Sequence, residues 1–385
     1  MRAALFTLAT MAILAISPAL RSQAQDQLKE ANSAASVLLI ERLKSRDPEG
    51  WRLISRCPRS AILLVDGRHD HTDRVLRPLG LRFTQCQASS FARRSLRGVR
   101  LLIIDCPGQI GDAGVKRAEA FVARGGTLLT TDWALLHVLQ RGFGNRVRHN
   151  GVQTRDDVVR VDTVARHPLT RSVFPRGRTA AWWIEHQSYP IDRLRSSGML
   201  TVLFSSSELG RKYGSGIVGV TFSHGRGSVV HVISHMYLQR THLTRAWERK
   251  SARSQAAELD LPTASSGYGK LLETGTLDRV KAGHLNATLS IQQFLMNIVL
   301  QALRPGHHHH PSPPRPLRPA PRLISPRASY QASTETHLFK TPGGEAFLRI
   351  AKGLRLQVIR SEPEWILVST PAGQQGWIPS DQITR

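Results

Sequence analysis

The chain has 385 residues, 53 basic against 28 acidic, and a formal net charge of +25, which at roughly 150 residues per domain gives length for two domains and at least one sizeable core. A field of that sign favours anionic partners such as nucleic acid, anionic lipid or a cell-wall polymer over cationic ones, although arginine is scattered through every segment, as on a uniformly solvated basic surface. Three cysteines, Cys57, Cys86 and Cys106, are an odd number and exclude a fully paired disulfide framework.

Residues 1–24 have the make-up of an export signal: Arg2, an apolar run from Ala3 to Ile16, Pro18, and the small residues Ser22 and Ala24 before Gln25. The run is shorter than the ~20 residues a membrane-spanning helix needs. The sequence therefore predicts a cleaved signal peptide and a mature chain soluble in the periplasm or secreted, at the cell envelope; an uncleaved anchor or a buried helix is the alternative. No later stretch is long and apolar enough for a transmembrane segment. Export makes nucleic acid the least expected partner and favours peptidoglycan or another anionic envelope component.

Residues 25–58 form a helical segment in which Val37, Leu38, Ile40, Leu43 and Leu53 make an apolar stripe for packing on the next domain. From 59 to 303, strand-like and helix-like units alternate. They are a strand at 61–67 (AILLVDG), a helix from about Asp73 to Leu79, strands at 81–86 (LRFTQC) and 100–106 (RLLIIDC), a helix from Asp112 to Ala123, and a strand at 127–131 (TLLTT). Continuous apolar strands separated by helix-sized segments predict a doubly wound α/β domain with a parallel sheet covered on both faces. In that arrangement the cysteines lie before the first strand and at the ends of the second and third. Strands of ~17–20 Å then keep them beyond the ~7 Å between Cα atoms that a disulfide allows, so none is expected.

Past Gly142 the pattern loosens into strand candidates at 158–164, 199–206, 216–224 and 228–235, then a polar, basic stretch at 240–270 that reads as a loop or lid. Strong helical periodicity returns at 285–303 and should close the domain. Asn286-Ala287-Thr288 is formally a glycosylation sequon, but its place at a helix start favours a capping role. Residues 304–329 are a Pro/Arg/His-rich linker, semi-rigid and extended; its tract His307 to His310 could bind a metal but has no preorganised geometry beside prolines.

Residues 333–385 show short alternating strands separated by Pro-Gly-Gly, Lys-Gly and Ala-Gly turns, the pattern of a small all-β, SH3-like barrel. The order LRIAKGLRLQVI, EWILV, GQQGWIPSDQI, with Gly353, Trp365, Gly376, Trp377 and Ile383 in succession, resembles the bacterial SH3 (SH3b) domain. That resemblance implies a module that binds wall peptides, as on exported proteins and peptidoglycan-active enzymes.

In GGTLLTTDWALLHVL, Gly125 to Leu139, an apolar strand leads through Asp132-Trp133 into a helix-like pattern, the elbow that holds a nucleophile in several α/β enzyme classes. With LLIIDCPG at 101–108 before it and GSVVHVISH at 227–235 after it, the stretch resembles the class I glutamine amidotransferase-like superfamily, including its trehalose-utilisation-type branch. The resemblance spans about residues 60–300 and implies a flavodoxin-like fold with a cysteine at the elbow and a histidine after a late strand. Here the elbow carries Asp132, and His235 stands where that histidine would be. A carboxylate cannot replace a thiolate in attacking a glutamine amide, so amidotransferase activity is not expected and the domain reads as a pseudoenzyme.

Ligands of doubly wound sheets bind beyond the carboxyl ends of the strands. That rim collects Asp66, His69, Asp70, His71 and Asp73 after the first strand, Asp105 and Cys106 after the third, Asp132 and Trp133 after the fourth, and His235 after the late strand; Glu185 and His186 of WWIEHQSYP are near it. Asp66, His69, Asp105 and Trp133 are the ligand-binding candidates. Histidine and carboxylate side chains suit zinc, iron or nickel, but His69 and His71 are two apart and point to opposite sides of an extended segment. DGRHDHTD is equally good turn and cap chemistry, with Asp73 or Thr72 capping the next helix, and no metal or cofactor is expected.

Asp132 and His235 are the catalytic candidates, an acid/base couple or an aspartyl nucleophile with its base; the alternative is that Asp132 caps a helix and His235 is the remnant of a lost site. Cys106 precedes Pro107-Gly108 rather than an elbow and is no substitute nucleophile. Trp365 and Trp377 are a ligand platform or, as expected for a small barrel, core residues. The reading that follows is an exported binding or scaffolding protein without turnover. Its alternative is a hydrolase acting on a wall-derived amide or sugar through His235 and Asp132.

Overall fold

The apolar runs of the first 130 residues become the parallel half of a sheet in the computed structural model of the chain. The structure describes residues 18–144, 146–174, 179–193, 200–259, 261, 266–304, 329–341, 344–361, 365–379 and 382–384. Most of the expected signal peptide, and the linker with its histidine tract, lie outside them. The chain divides between Arg315 and Pro316 into two compact units, each described by itself.

The first unit opens with α1 (Pro18–Arg46) and α2 (Pro48–Ser55), then β1 (Ile62–Asp66), α3 (Asp73–Leu76), β2 (Thr84–Gln87), β3 (Leu101–Ile104), α4 (Gly111–Ala123) and β4 (Thr127–Thr131). A π-helical turn, Leu135–Leu139, runs into α5 (Gln140–Gly142). There follow β5 (Val147–His149), β6 (Asp157–Thr163), β7 (Ala180–Ile184), β8 (Ile191–Arg193), β9 (Leu200–Ser205), α6 (Ser207–Tyr213), β10 (Ile217–His224) and β11 (Gly227–Val232). The unit ends with α7 (Arg253–Ala257), α8 (Ser266–Glu273), α9 (Thr276–Arg279) and α10 (Ala282–Leu303).

The sheet order is β2-β1-β3-β4-β11-β10-β9-β6-β7. The first five strands are parallel, as the sequence predicts, with Leu63, Leu102, Leu128 and Val229 in one buried row. From β10 onward the pairing is antiparallel, so the sheet is mixed rather than wholly parallel. Gly225-Arg226 turns β10 directly into β11 with no room for a crossover helix.

Both faces are covered. Trp182 of β7 and Phe204 of β9 pack on Phe294 of α10. Phe204 lies opposite Gly219, so strand alternation turns Phe222 and His224 to the other face, where they meet Phe143 beyond α5. Helix α10 is apolar and buried around nearly its whole girth, because α1 packs on it from outside. Asn32, Ser36 and Gln292 hydrogen-bond to one another inside that contact, at 2.9–3.1 Å.

Two expectations change here. The stretch 240–270 is no lid: Ala252, Ala256, Leu259 and Tyr268 are buried, α7 packs on α10 and α8 on α1. Its apolar content lies in alanines and isolated large residues, too sparse for a visible period. Asn286 is no cap either. It lies inside α10 and is 5% exposed, accepting from Gln255 Nε2 and donating to the Thr179 carbonyl, which also closes the sequon to a glycan.

The second unit contains β12 (Ser329–Ala332), β13 (Thr336–Phe339), β14 (Ala346–Ile350), β15 (Arg355–Ser361), β16 (Trp365–Ser369), β17 (Gln375–Pro379) and β18 (Ile383–Thr384). They pair antiparallel in the order β14-β13-β17-β16-β15-β12-β18 around a core of Tyr330, Leu338, Ile350, Leu356, Val358, Ile366, Val368 and Ile378. The first strand starts at Ser329 rather than 333.

Candidate functional site

The strand order 2-1-3-4 reverses direction between β1 and β3, and the loops after these strands lock together there. Gly67 lies so close to the Cys106 carbonyl that a Cβ would collide with it, and the same carbonyl accepts from the backbone N–H groups of Arg68 and His69 at 3.0 and 3.2 Å. Asp105 accepts from the Thr72 hydroxyl at 2.6 Å and the Thr72 N–H at 3.0 Å. Burial, then the nearby Asp70, raises its pKa well above the ordinary carboxylate range. Asp105 is thus a tie between loops, not a surface ligand. Thr72 holds the N-cap position of α3, as one of the two expected caps, but gives its hydroxyl to Asp105 rather than to the helix.

Asp70 is 1% exposed and accepts from the N–H groups of His71 and Met236, so it ties the β1 loop to the segment after β11. His69 leans on Trp133 and His71 on Tyr237; the two diverge, as alternation predicts. Asp66 accepts from Gln87 of β2 at 2.9 Å, on the side away from the elbow.

The central group comes from three neighbouring strand ends, β3, β4 and β11. At the end of β4 Asp132 adopts φ 43°, the left-handed region that costs a non-glycine residue ~1–2 kcal/mol. Its N–H is held by the Val232 carbonyl, and its own carbonyl accepts from Leu135, each at 2.9 Å. From this elbow Oδ2 of Asp132 lies 3.3 Å from Nε2 of His235 and 3.6 Å from Sγ of Cys106. On the other side of the ring, Nδ1 of His235 meets Oε2 of Glu185 at 3.1 Å. Asp132 and His235, paired in the sequence reading, do meet. Cys106, set aside there, touches the elbow, and Glu185, placed only near the rim, is the second partner of His235.

Glu185 arrives by a device the sequence did not disclose. Strand β6 pairs with β7 over Asp157–Val161 and with β9 at Asp162 and Thr163, and the β6–β7 ribbon brings Trp183 and Glu185 to His235. Trp183 stands edge-on to the His235 ring at 5.9 Å, and its carbonyl accepts from the Ser234 hydroxyl. Trp133, the residue after the elbow, donates its indole N–H to the Gln187 carbonyl at 2.7 Å and packs against His69 and Tyr189. His186 is exposed.

Cys106, Asp132 and His235 are 1%, 1% and 3% exposed. Burial alone would lower the His235 pKa, but Asp132, Asp70 and Glu185 outweigh it and raise the pKa to about 9. Burial first, then Asp132, pushes the Cys106 thiol up, and burial raises Glu185. Two atoms remain unsatisfied: Oδ1 of Asp132 and Nε2 of His235 have no hydrogen-bond partner, the 3.3 Å approach of the imidazole to Oδ2 being off the hydrogen-bond line.

In the second unit the core expectation for the tryptophans is corrected. Ile366 and Ile378 point into the core, so their neighbours Trp365 and Trp377 point the other way. Phe339 lies opposite Trp377 in the sheet and stacks edge-on to Trp365 at 5.1 Å. All three rings are half-buried.

No family model and no curated protein matches the chain. Solved structures with some similarity include the exo-β-1,4-mannosidase Op5Man5 from Opitutaceae bacterium strain TAV5, at 13% identity over 50% of this chain and 34% of that one, TM-score 0.33. A ThuA-like protein from Bacteroides uniformis is 14% identical over 46% of this chain and 83% of that one, TM-score 0.34. PurLQS from Thermotoga maritima is 16% identical over 46% and 86%, TM-score 0.35. The chain spans about a third of the length of the mannosidase, and at these scores no activity is carried over from any of them.

Proposed function

We propose that the protein is an exported cell-envelope binding protein in which an amidotransferase-like α/β unit without the elbow cysteine is joined to an SH3b-like module that engages peptidoglycan. The observation that carries this reading is the half-buried aromatic face of Phe339, Trp365 and Trp377. A small barrel that spends large rings outside its core has a platform for sugar or peptide faces. The net charge of +25 suits an anionic wall. The buried elbow agrees, since Asp132 and His235 are only 1% and 3% exposed.

The test is sedimentation of the purified protein with peptidoglycan, at low and moderate salt, against a chain ending at Arg304. Binding that disappears with the C-terminal unit and resists salt supports the reading. Binding that survives truncation and vanishes with salt assigns attachment to charge alone and sinks it.

Two observations favour a second reading, hydrolysis of a wall-derived amide or sugar: the strained backbone of Asp132 and the clamping of His235 between Asp132 and Glu185. With a pKa of about 9, His235 would be an imidazolium at neutral pH. It would serve as general acid, with Asp132 as base or nucleophile. Turnover of wall fragments abolished by Asp132→Asn and His235→Ala establishes this reading; no turnover by the wild-type protein removes it.

A further inference from the structure

The buried group at the elbow has the composition and spacing of a metal centre. Cys106 Sγ, one Asp132 oxygen and one His235 ring nitrogen all lie within 4.8 Å of one another. Tetrahedral zinc, with bonds of ~2.3 Å to sulfur and ~2.0–2.2 Å to nitrogen and oxygen, sets its ligand atoms about 3.4–3.6 Å apart. Here Oδ2 of Asp132 is 3.6 Å from the sulfur and 3.3 Å from the nitrogen.

Two further features point the same way. The two atoms with no hydrogen-bond partner, Oδ1 of Asp132 and Nε2 of His235, belong to residues 1% and 3% exposed. A cation held between Oδ2 of Asp132 and Nε2 of His235 gives the buried imidazole nitrogen the partner it lacks. Nδ1 of His235 faces Glu185 at 3.1 Å, the carboxylate–histidine support that fixes a metal-binding imidazole with its other nitrogen free.

We infer that Cys106, Asp132 and His235 bind one divalent transition metal ion of the zinc class, with Glu185 orienting His235 and the fourth position left to solvent or a ligand. A borderline-soft ion fits the thiolate and imidazole, and a three-residue set with one open position is the catalytic rather than the structural pattern of zinc sites. In the metal-free protein the Cys106 thiol faces Asp132; on metal binding the thiol and Nε2 of His235 each release their proton to solvent. The site is distinct from the histidine tract at 307–310 and does not depend on what the second unit binds.

The test is cobalt substitution of the purified, metal-stripped full chain, followed by absorption spectroscopy and metal counting. The expected result is one cobalt with a thiolate charge-transfer band and intense four-coordinate visible bands. The spectrum should persist when His307, His308, His309 and His310 are replaced by alanine, and vanish in Cys106→Ser. Glu185→Gln should bind about 10- to 100-fold more weakly. If Cys106→Ser does not fold, a Cys57→Ser, Cys86→Ser chain with Cys106 as its sole thiol decides, since a retained band supports the site and a lost band overturns it. A wild-type protein with no thiolate band, or with cobalt lost on removing the histidine tract, also overturns it.

Discussion

His231 should set the acid limit of the α/β unit, and His231→Leu should move it. The residue sits in β11 between Thr130 of β4 and Val220 of β10 and is 0% exposed. Its Nδ1 is hydrogen-bonded to the Thr130 hydroxyl at 2.9 Å, and its Nε2 has no partner. Burial holds its pKa down at about 3, against ~6.5 in an unfolded chain. Below pH ~6.5 the unfolded chain therefore binds a proton that the folded one refuses. This term is constant above that pH and falls by ~1.4 kcal/mol per unit as the pH drops toward 3.

The loss is about 3 kcal/mol at pH 4, a large share of a typical 5–15 kcal/mol. Leucine cannot take up the proton. At pH 7 it also removes the orphan nitrogen, and Thr130 keeps the Val230 carbonyl as partner, so the change there should be within about 1 kcal/mol. Urea unfolding followed by helical circular dichroism isolates the first unit, because the α-helices among the described residues all lie there. Between pH 7 and pH 4 the stability difference, variant minus wild type, should widen by about 3 kcal/mol. Parallel pH profiles would refute the assignment to His231.

Gly108→Ala should cost about 2–4 kcal/mol, because Gly108 has φ 75° and a Cβ there would lie 2.8 Å from Cβ of Ala134, directly beyond the elbow. Gly353→Ala, at φ 84° with nothing nearby, should cost only the backbone share, ~1–2 kcal/mol; equal losses in thermal unfolding would discredit the packing argument. Trp365→Ala and Trp377→Ala should abolish peptidoglycan sedimentation while leaving the second unit folded, whereas Ile378→Ala should cost ~2–5 kcal/mol; wall binding that survives both tryptophan changes would remove the platform. Glu248→Gln should destabilise the first unit by ~3–5 kcal/mol, since Glu248 is 1% exposed and ion-paired with Arg160; a loss below about 1 kcal/mol would mean the pair is solvated.

Strands buried on both faces were legible as apolar runs, and β4 spans the predicted 127–131. The sequence paired Asp132 with His235 only through a resemblance and left open whether they meet; the ends of β4 and β11 bring them to 3.3 Å. What escaped depends on pairing rather than periodicity. The antiparallel half has one local sign in the sequence, the Gly225-Arg226 hairpin. Strand β7, AAWWI, is buried at every position, so its aromatic run shows no alternation and did not read as a strand. Parity was available for the tryptophans: Trp365 and Trp377 each precede an isoleucine that fills the core, so the tryptophan itself cannot.

Cys106 shows most directly what a single segment of sequence leaves out. Within its own loop, before Pro107-Gly108, the elbow rule makes it no nucleophile. Its place in the site follows instead from sheet order. The strands β3, β4 and β11 are consecutive neighbours, spaced ~4.8 Å apart, so the residues just past their carboxyl ends converge whatever their separation in sequence. Asp132 at the elbow then stands between a thiol on one side and an imidazole on the other. A carboxylate there cannot repeat thiolate attack on an amide, yet it is the side chain best able to share a cation with both neighbours. Glu185 comes from outside that row, through the β6–β7 ribbon, and touches the ring nitrogen on the far side from Asp132. Its removal should therefore loosen the imidazole without removing a ligand atom, which separates its effect from that of Asp132 or Cys106.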